Sequence, residues 1–336
     1  MIPNVLNNAM YGFMSSHVLY VGDELGVFDR IILNKGDTAE NLANWSKTSL
    51  DGMERLLLAA TAAGLLEKKG QIFQVPDTLQ SFLQKSSPNY LGNIFSHYQT
   101  LTMDIFRFLK NGLFEAKPQW SKVFGTEVKP NIFDDIYADQ ESLKKFVESM
   151  WAMGITPARE LTHKFPMNGI KTLIDIGGCS GSFAIAALEN NPELNAIVFD
   201  LPKIQPFLED KKREFNLEER LSFRAGDFFK GELPKGDAYS IGYILSDWTR
   251  EVGTELINKI YCQLPEGGKI FILEKLFNDD KTGPLPTAMM NLAMFLETWG
   301  KHSSAEEYTS WLEEVGFKEF KVVTSNGDKH LIVGVK

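Results

Sequence analysis

Cysteine is scarce: Cys179 and Cys262 are the only two in 336 residues. They are too few, and too different in context, for a disulfide framework or a metal cluster, and a reducing cytoplasm fits. Positive charge is in deficit as well, with 35 Lys and Arg against 44 Asp and Glu, a net charge of −9 and a pI near 5.2. Phosphate binding needs concentrated cations, so nucleic acid is disfavoured as a partner. Long apolar runs are missing: none approaches the ~18 residues of a membrane span. The amino terminus, Met-Ile-Pro-Asn-Val-Leu-Asn-Asn, has no basic segment followed by an apolar core, so neither membrane insertion nor export is expected. Repeats and low-complexity tracts are absent too. With 43% hydrophobic residues the chain can nevertheless bury a large core, and its length suggests two domains.

What is present is organised around Lys171 to Gly181, an apolar run ending in glycines just before the helix-prone Ser-Phe-Ala-Ile-Ala-Ala-Leu-Glu. It reads as a buried strand, a tight turn and a helix start. Gly177, Gly178 and Gly181 let a bound molecule approach the backbone, and Asp175 can accept hydrogen bonds from a cationic or hydroxylated ligand. One helix later, Asn195 to Asp200 is another apolar strand ending in an acid, at the spacing where a carboxylate meets a ribose diol. A third strand, Leu221 to Ala225, ends in Gly226-Asp227-Phe228-Phe229 and offers a carboxylate and an aromatic face. Together these strand ends predict a nucleoside-shaped site at the carboxyl edge of a parallel sheet.

Upstream, Asn7 to Leu25 carries apolar residues at helical spacing and closes at Gly26. Asp37-Thr-Ala-Glu40 reads as a capping box with Asp37 in the cap position. A helix to Trp45, a second from Leu50 to Leu66 and a polar hairpin around Glu67 to Gln71 then follow in winged-helix order. In so acidic a chain this predicts an interaction scaffold. Tyr90 to Leu113 and Ile132 to Lys164 look helical, with a polar loop between. From Lys171 onward strands alternate with helices, adding Asp237 to Leu245, Lys269 to Lys275, Lys318 to Thr324 and His330 to Lys336. The expected fold class is α/β, a doubly wound Rossmann-like sheet whose last two strands form a hairpin, preceded by a mainly helical domain.

In order, Asp-Ile-Gly-Gly-Cys-Ser-Gly, Phe-Asp-Leu-Pro, Ala-Gly-Asp-Phe-Phe, Ile-Leu-Ser-Asp-Trp and Pro-Glu-Gly-Gly-Lys-Ile resemble the S-adenosylmethionine-dependent small-molecule O-methyltransferases related to acetylserotonin and caffeate O-methyltransferases. The resemblance covers nearly the whole chain. It implies a dimerisation domain over 1–100, a helical pocket wall over 101–165 and a methyltransferase domain over 166–336, in a homodimer formed through the first. Its cofactor is S-adenosyl-L-methionine, held by Asp175, Gly177, Gly178, Gly181, Asp200, Leu201, Gly226, Asp227, Phe228 and Tyr243, with Tyr137 and Met150 from the pocket wall. A small-molecule acceptor would meet His17, Met153, Met290, Asn291, Met294 and Trp299, the methionines of the 287–299 helix being adaptable and polarisable.

The pattern departs from the family where the proton is taken. The resembled enzymes carry a histidine immediately before Asp-Trp; here Ser246 precedes Asp247, and a serine hydroxyl is no base near neutral pH. Glu274 matches the acid that orients that histidine, and His302 replaces a second family acid. Asp247 also reads as a helix cap. A positioned base supplies ~10² to 10⁴ in rate, whereas alignment of two reactants supplies ~7 to 11 kcal/mol. Methyl transfer can therefore survive the loss, with an aromatic or otherwise acidic acceptor selected, and His302 and Glu274 stand as a relocated base. A rival use of the scaffold is a non-methylating step such as hydroxylation, decarboxylation or a pericyclic rearrangement, or methylation of another atom.

Overall fold

The computed structural model describes residues 2–125 and 139–336, which divide into two compact units, Met1–Met103 and Asp104–Lys336. In the first, the apolar helix expected near the amino terminus spans Asn4–Glu24, and Gly26 follows in the left-handed region at φ 72°. Helices Val27–Leu33, Ala39–Ser46 and Leu50–Ala62 then precede an antiparallel hairpin of β1 (Glu67–Lys69) and β2 (Ile72–Gln74). Phe28, Ile31, Leu42, Met53, Leu57 and Phe73 form its core. The helix at 39 is capped by Thr38, whose hydroxyl accepts from Asn41 N at 3.2 Å, not by Asp37. Asp37 is buried and its carboxylate is already used by Asn34, Asn41, Arg30 and the Thr38 amide, which leaves it no role as a cap. The long helix expected over 90–113 is broken into Gly92–His97, a π-turn at Tyr98–Thr102 and shorter pieces after it.

The second unit holds a seven-stranded sheet built from β3 (Thr172–Ile176), β4 (Asn195–Asp200), β5 (Leu221–Ala225), β6 (Ala238–Gly242), β7 (Lys269–Lys275), β8 (Lys318–Val323) and β9 (Lys329–Val335). Their order is β5-β4-β3-β6-β7-β9-β8, with β5 to β7 parallel and β9 antiparallel to both its neighbours. Chain order reverses between β3 and β6, and it is in such a crevice, at the carboxyl ends of the strands, that open α/β sheets hold ligands.

Both faces are covered, so the central strands are apolar on both sides. Leu173, Phe271, Leu273, Leu331 and Val333 meet helices Gln140–Lys164 and Ser182–Asn190; Ile174, Ile241, Ile270, Ile272 and Ile332 meet helices Arg250–Gln263 and Ala305–Val315. The strict alternation along β7 carries past its apolar stretch. It turns Glu274 towards the second face and Lys275 towards the first.

Ile272 is wholly buried in β7, whereas Val322 on the edge strand β8 is 43% exposed. Ile272→Ala is expected to cost about 2–5 kcal/mol in chemical denaturation, and Val322→Ala within about 0.5 kcal/mol.

Candidate functional site

The glycine turn after β3 has the geometry of a cradle. Gly177 takes φ 62°, and a Cβ there would lie 2.6 Å from Ile244 Cδ1; a Cβ at Gly178 would lie 2.3 Å from Asp175 Oδ2. A side chain at either position would fill the hollow. Asp175 is 3% exposed; its Oδ1 accepts from the Ser240 hydroxyl at 2.6 Å, while Oδ2 has no hydrogen-bond partner among the described residues. Burial pushes its carboxyl up to about 7, with the Ser240 hydroxyl, the Ala184 amide and the charge of Lys329 pulling the other way. A buried, half-satisfied carboxyl at a strand tip leaves an acceptor free for a ligand.

Asp200 ends β4 and ties the turn down: its Oδ2 accepts from Cys179 N at 2.8 Å and its Oδ1 from Leu201 N at 2.7 Å. Burial raises this carboxyl to about 6, the two amides opposing. Gly226 N donates to the Asp200 carbonyl at 2.9 Å, Asp227 accepts from Phe229 N at 2.9 Å, and the Phe228 and Phe229 rings lie 4.5 Å apart. Helix Ser182–Asn190 starts on Gly181. Leu143, Phe146 and Val147, on the first two turns of helix Gln140–Lys164, pack with Cys179 and Leu201 and so roof the turn. Met150 and Met153 follow, half-buried, on the same helix, while Tyr137 lies outside the described residues. Tyr243, just past β6, takes φ 55°.

A second group of polar residues sits across the sheet. Glu274, fully buried, accepts at Oε1 from the amides of Ile244 at 3.1 Å and Ser246 at 3.3 Å, so it fixes the loop after β6. Its Oε2 has no hydrogen-bond partner among the described residues and lies 3.9 Å from His302 Nδ1. That gap is too long for a hydrogen bond. Burial lifts Glu274 to about 7 and lowers His302 to about 4, the latter helped by Lys275. Both ring nitrogens of His302 are unpartnered, as are Ser303 Oγ and Tyr308 Oη nearby.

Asn291 Oδ1 holds the His302 amide at 2.9 Å. A Cβ on Gly300 would come within 2.0 Å of the Ser246 carbonyl, which presses the 298–302 loop onto Ser246 and Asp247. Asp247 does not cap the following helix, which starts at Arg250 behind Thr249. It is half-buried yet held well above the usual carboxylate range by desolvation, then by Glu274 and Glu297, as a group on the wall of a deep cleft would be.

The structure thus gathers Asp175, Gly177, Gly178, Gly181, Asp200, Leu201, Gly226, Asp227 and Phe228 at adjoining strand tips, and Ser246, Asp247, Glu274, Asn291 and His302 across the sheet. Met290 and Met294 share helix Leu285–Glu297 with Asn291; Trp299 lies past its end and is 56% exposed. His17 belongs to the other unit, exposed, its Nδ1–H donating to the Phe13 carbonyl at 2.8 Å. Sequence reading missed Ser240, Glu297 and Lys329. Glu297 is 9% exposed, its Oε1 is unpartnered, and burial lifts it to about 8. Nothing in its local sequence, Phe-Leu-Glu-Thr-Trp, separates it from a solvated helix-end acid. Among the described residues no group of His, Cys, Asp and Glu could hold a metal ion, and no helix is long and apolar enough to cross a membrane.

Compared with known proteins, residues 106–318 match the O-methyltransferase domain family and residues 7–83 the O-methyltransferase dimerisation domain. Chicken (Gallus gallus) acetylserotonin O-methyltransferase is 30% identical over 95% of this chain and 93% of its own length. The 3-hydroxy-5-methyl-1-naphthoate 3-O-methyltransferase of Streptomyces sahachiroi is 27% identical over 99% and 95%. Among solved structures, human N-acetylserotonin methyltransferase in complex with SAM superposes with a TM-score of 0.91 at 26% identity, covering 99% of this chain and 97% of that one. PigF with SAH gives 0.88 at 27% identity over the full length of both.

The buried acids have a consequence for stability. Folded Glu297 keeps its proton to about pH 8, whereas an unfolded glutamate releases it near 4.5, so stability falls as pH rises through that window. Glu297→Gln removes the penalty. It is expected to be more stable than the wild type at pH ~8 by on the order of 1–3 kcal/mol and to match it at pH ~4, measured by chemical denaturation at both.

Proposed function

Since the chain belongs to the O-methyltransferase family, we propose that it transfers a methyl group from S-adenosyl-L-methionine to an oxygen of a small, aromatic or otherwise acidic acceptor, with Glu274 and His302 in place of the base that Ser246 cannot supply. The observation carrying this reading is the bare backbone of Gly177 and Gly178 beside the unpartnered, buried Oδ2 of Asp175. When bound, the cofactor supplies a methyl group activated on a sulfonium.

The chain's own residues have three tasks: to bind, to align and to take a proton. Asp175 offers its free oxygen to a cationic or hydroxylated group. The second lone pairs of Asp200, not used by the Cys179 and Leu201 amides, suit a diol. Phe228 and Phe229 give a flat apolar surface to a base. Alignment in so enclosed a place supplies most of the acceleration, on the order of 7–11 kcal/mol.

For the proton, neutral His302 accepts at one ring nitrogen while the other, 3.9 Å from Glu274 Oε2, passes its hydrogen to that oxygen as the two side chains close to hydrogen-bond distance. Glu274, lifted to about 7, is the better resting place for the proton than an imidazole lowered to about 4. We further infer that residues 1–100 form a homodimer contact, which would cover Val5, Leu6, Met10, Tyr11, Phe13 and Met14, all at least 50% exposed on the first helix.

Two measurements test the reading. Incubation with methyl-labelled cofactor and a panel of phenols is expected to move label into product; turnover without label would favour a non-methylating reaction, and no turnover with any phenol would remove the acceptor class. His302→Ala is expected to slow a weakly acidic phenol by about 10²- to 10⁴-fold while leaving cofactor affinity unchanged. A rate within twofold of wild type would free His302 of the role.

A further inference from the structure

Lys329 is a buried cation that methyl transfer as described leaves unused. It opens β9 and pairs in register with Lys275 at the carboxyl end of β7. Only 4% of its surface is exposed, and its Nζ lies 3.4 Å from the centre of the Tyr243 ring. Lys275 beside it is ion-paired with Asp328. Tyr243 follows β6 directly, its backbone is in the left-handed region at φ 55°, and its amide donates to the Leu273 carbonyl at 3.1 Å. A non-glycine residue held there needs support from its surroundings. An ammonium against an aromatic face in a desolvated site is among the stronger such supports.

The side-chain alternation of β9 places Lys329 on the same face of the sheet as Leu331 and Val333, which is also the face of Leu173 and Asp175. We propose that Lys329 is a positioning residue of the cofactor site, its ammonium pinning the Tyr243 ring and backbone at the tip of β6, beside the glycine turn. The inference rests on the reading of that turn as a cofactor cradle.

The charged groups whose fields reach Lys329 are Lys275 and Asp175 on its own face, Asp328 from the turn before β9, and Glu274 at the end of β7. Glu160 and Lys164, on the helix packed over β9, act on the neighbouring His330. Burial, together with Lys275, brings the Lys329 amine down to about 7, against the pull of Glu274, Asp328 and Asp175. The ammonium is therefore present below pH 7 and lost above it. Asp175 ionises over the same range and feels the charge of Lys329, so Lys329→Arg, which keeps a cation beside it, serves as the control for that titration.

The experiment is calorimetric titration of the full chain with S-adenosyl-L-homocysteine at pH ~6 and pH ~9, for wild type, Lys329→Met and Lys329→Arg. At the lower pH, Lys329→Met is expected to bind on the order of tenfold more weakly than wild type, and at the higher pH equally well. Lys329→Arg, charged throughout, should match wild type at low pH and bind on the order of tenfold more tightly than it at high pH. A Lys329→Met affinity equal to wild type at pH ~6, or a ratio that does not change with pH, overturns the proposal. Should the methionine variant fail to fold, the arginine comparison decides alone: pH-independent equality with wild type refutes the pinning role. If wild type itself takes up no ligand, the cofactor reading fails instead, which separates the two outcomes.

Discussion

Taking carboxyl groups out of water is the constraint around which the catalytic unit is arranged. Asp175, Asp200, Glu274 and Glu297 are each at most 9% exposed, and burial raises every one of them above its ordinary range. A buried ionised group needs partners, and the chain supplies them unevenly. Asp200 receives one amide at each oxygen, which fixes the carboxylate and leaves a second lone pair on each. Asp175 and Glu274 each receive support at one oxygen and keep the other free.

Two faces of one sheet then carry two tasks. On the first, Asp175, Ser240 and Lys329 sit under the glycine turn and Tyr243; on the second, Glu274 reaches towards His302 and fastens the loop that bears Ser246. The period of the strand enforces the division, since Glu274 and Lys275 are neighbours in sequence and face opposite ways. Gly300 sets how closely the 298–302 loop approaches the Ser246 carbonyl, and so how near His302 comes to the position that a basic residue would otherwise occupy. Replacing that base with serine leaves room and removes charge. On the proposed reading the proton passes instead to the buried Glu274–His302 pair, whose basicity is set by burial.

Much of this was legible in the sequence because the signals were local. An apolar run, glycines and an acid at its end fix a strand, a turn and a carboxylate within a dozen residues, and β3 to β5 end where that pattern says they do. Local signals also misled. Asp37 heads a capping-box pattern, yet Asn34, Asn41 and Arg30 claim its carboxylate, and Thr38 becomes the cap. Asp247 precedes a helix, yet the helix starts behind Thr249 and Asp247 lies desolvated near Glu274 and Glu297 instead. Glu297 and Lys329 could not be found from the chain alone, because their burial arises from strands and loops far away in sequence. Ser240 is a partner of Asp175 only through the β3–β6 register, which pairs those two residues across a separation that no local pattern reveals.

On the proposed reading the carboxyl of Asp175 meets the cationic end of the cofactor. The most direct test of that contact is calorimetric binding of S-adenosyl-L-methionine at pH ~6 in two buffers of different ionisation enthalpy, which counts the protons exchanged. A carboxyl lifted to about 7 is mostly protonated there, and a cation beside its free oxygen drives the proton off, so net release into the buffer is expected, lost in Asp175→Asn. Binding with the same heat in both buffers, or no binding at all, would contradict the account.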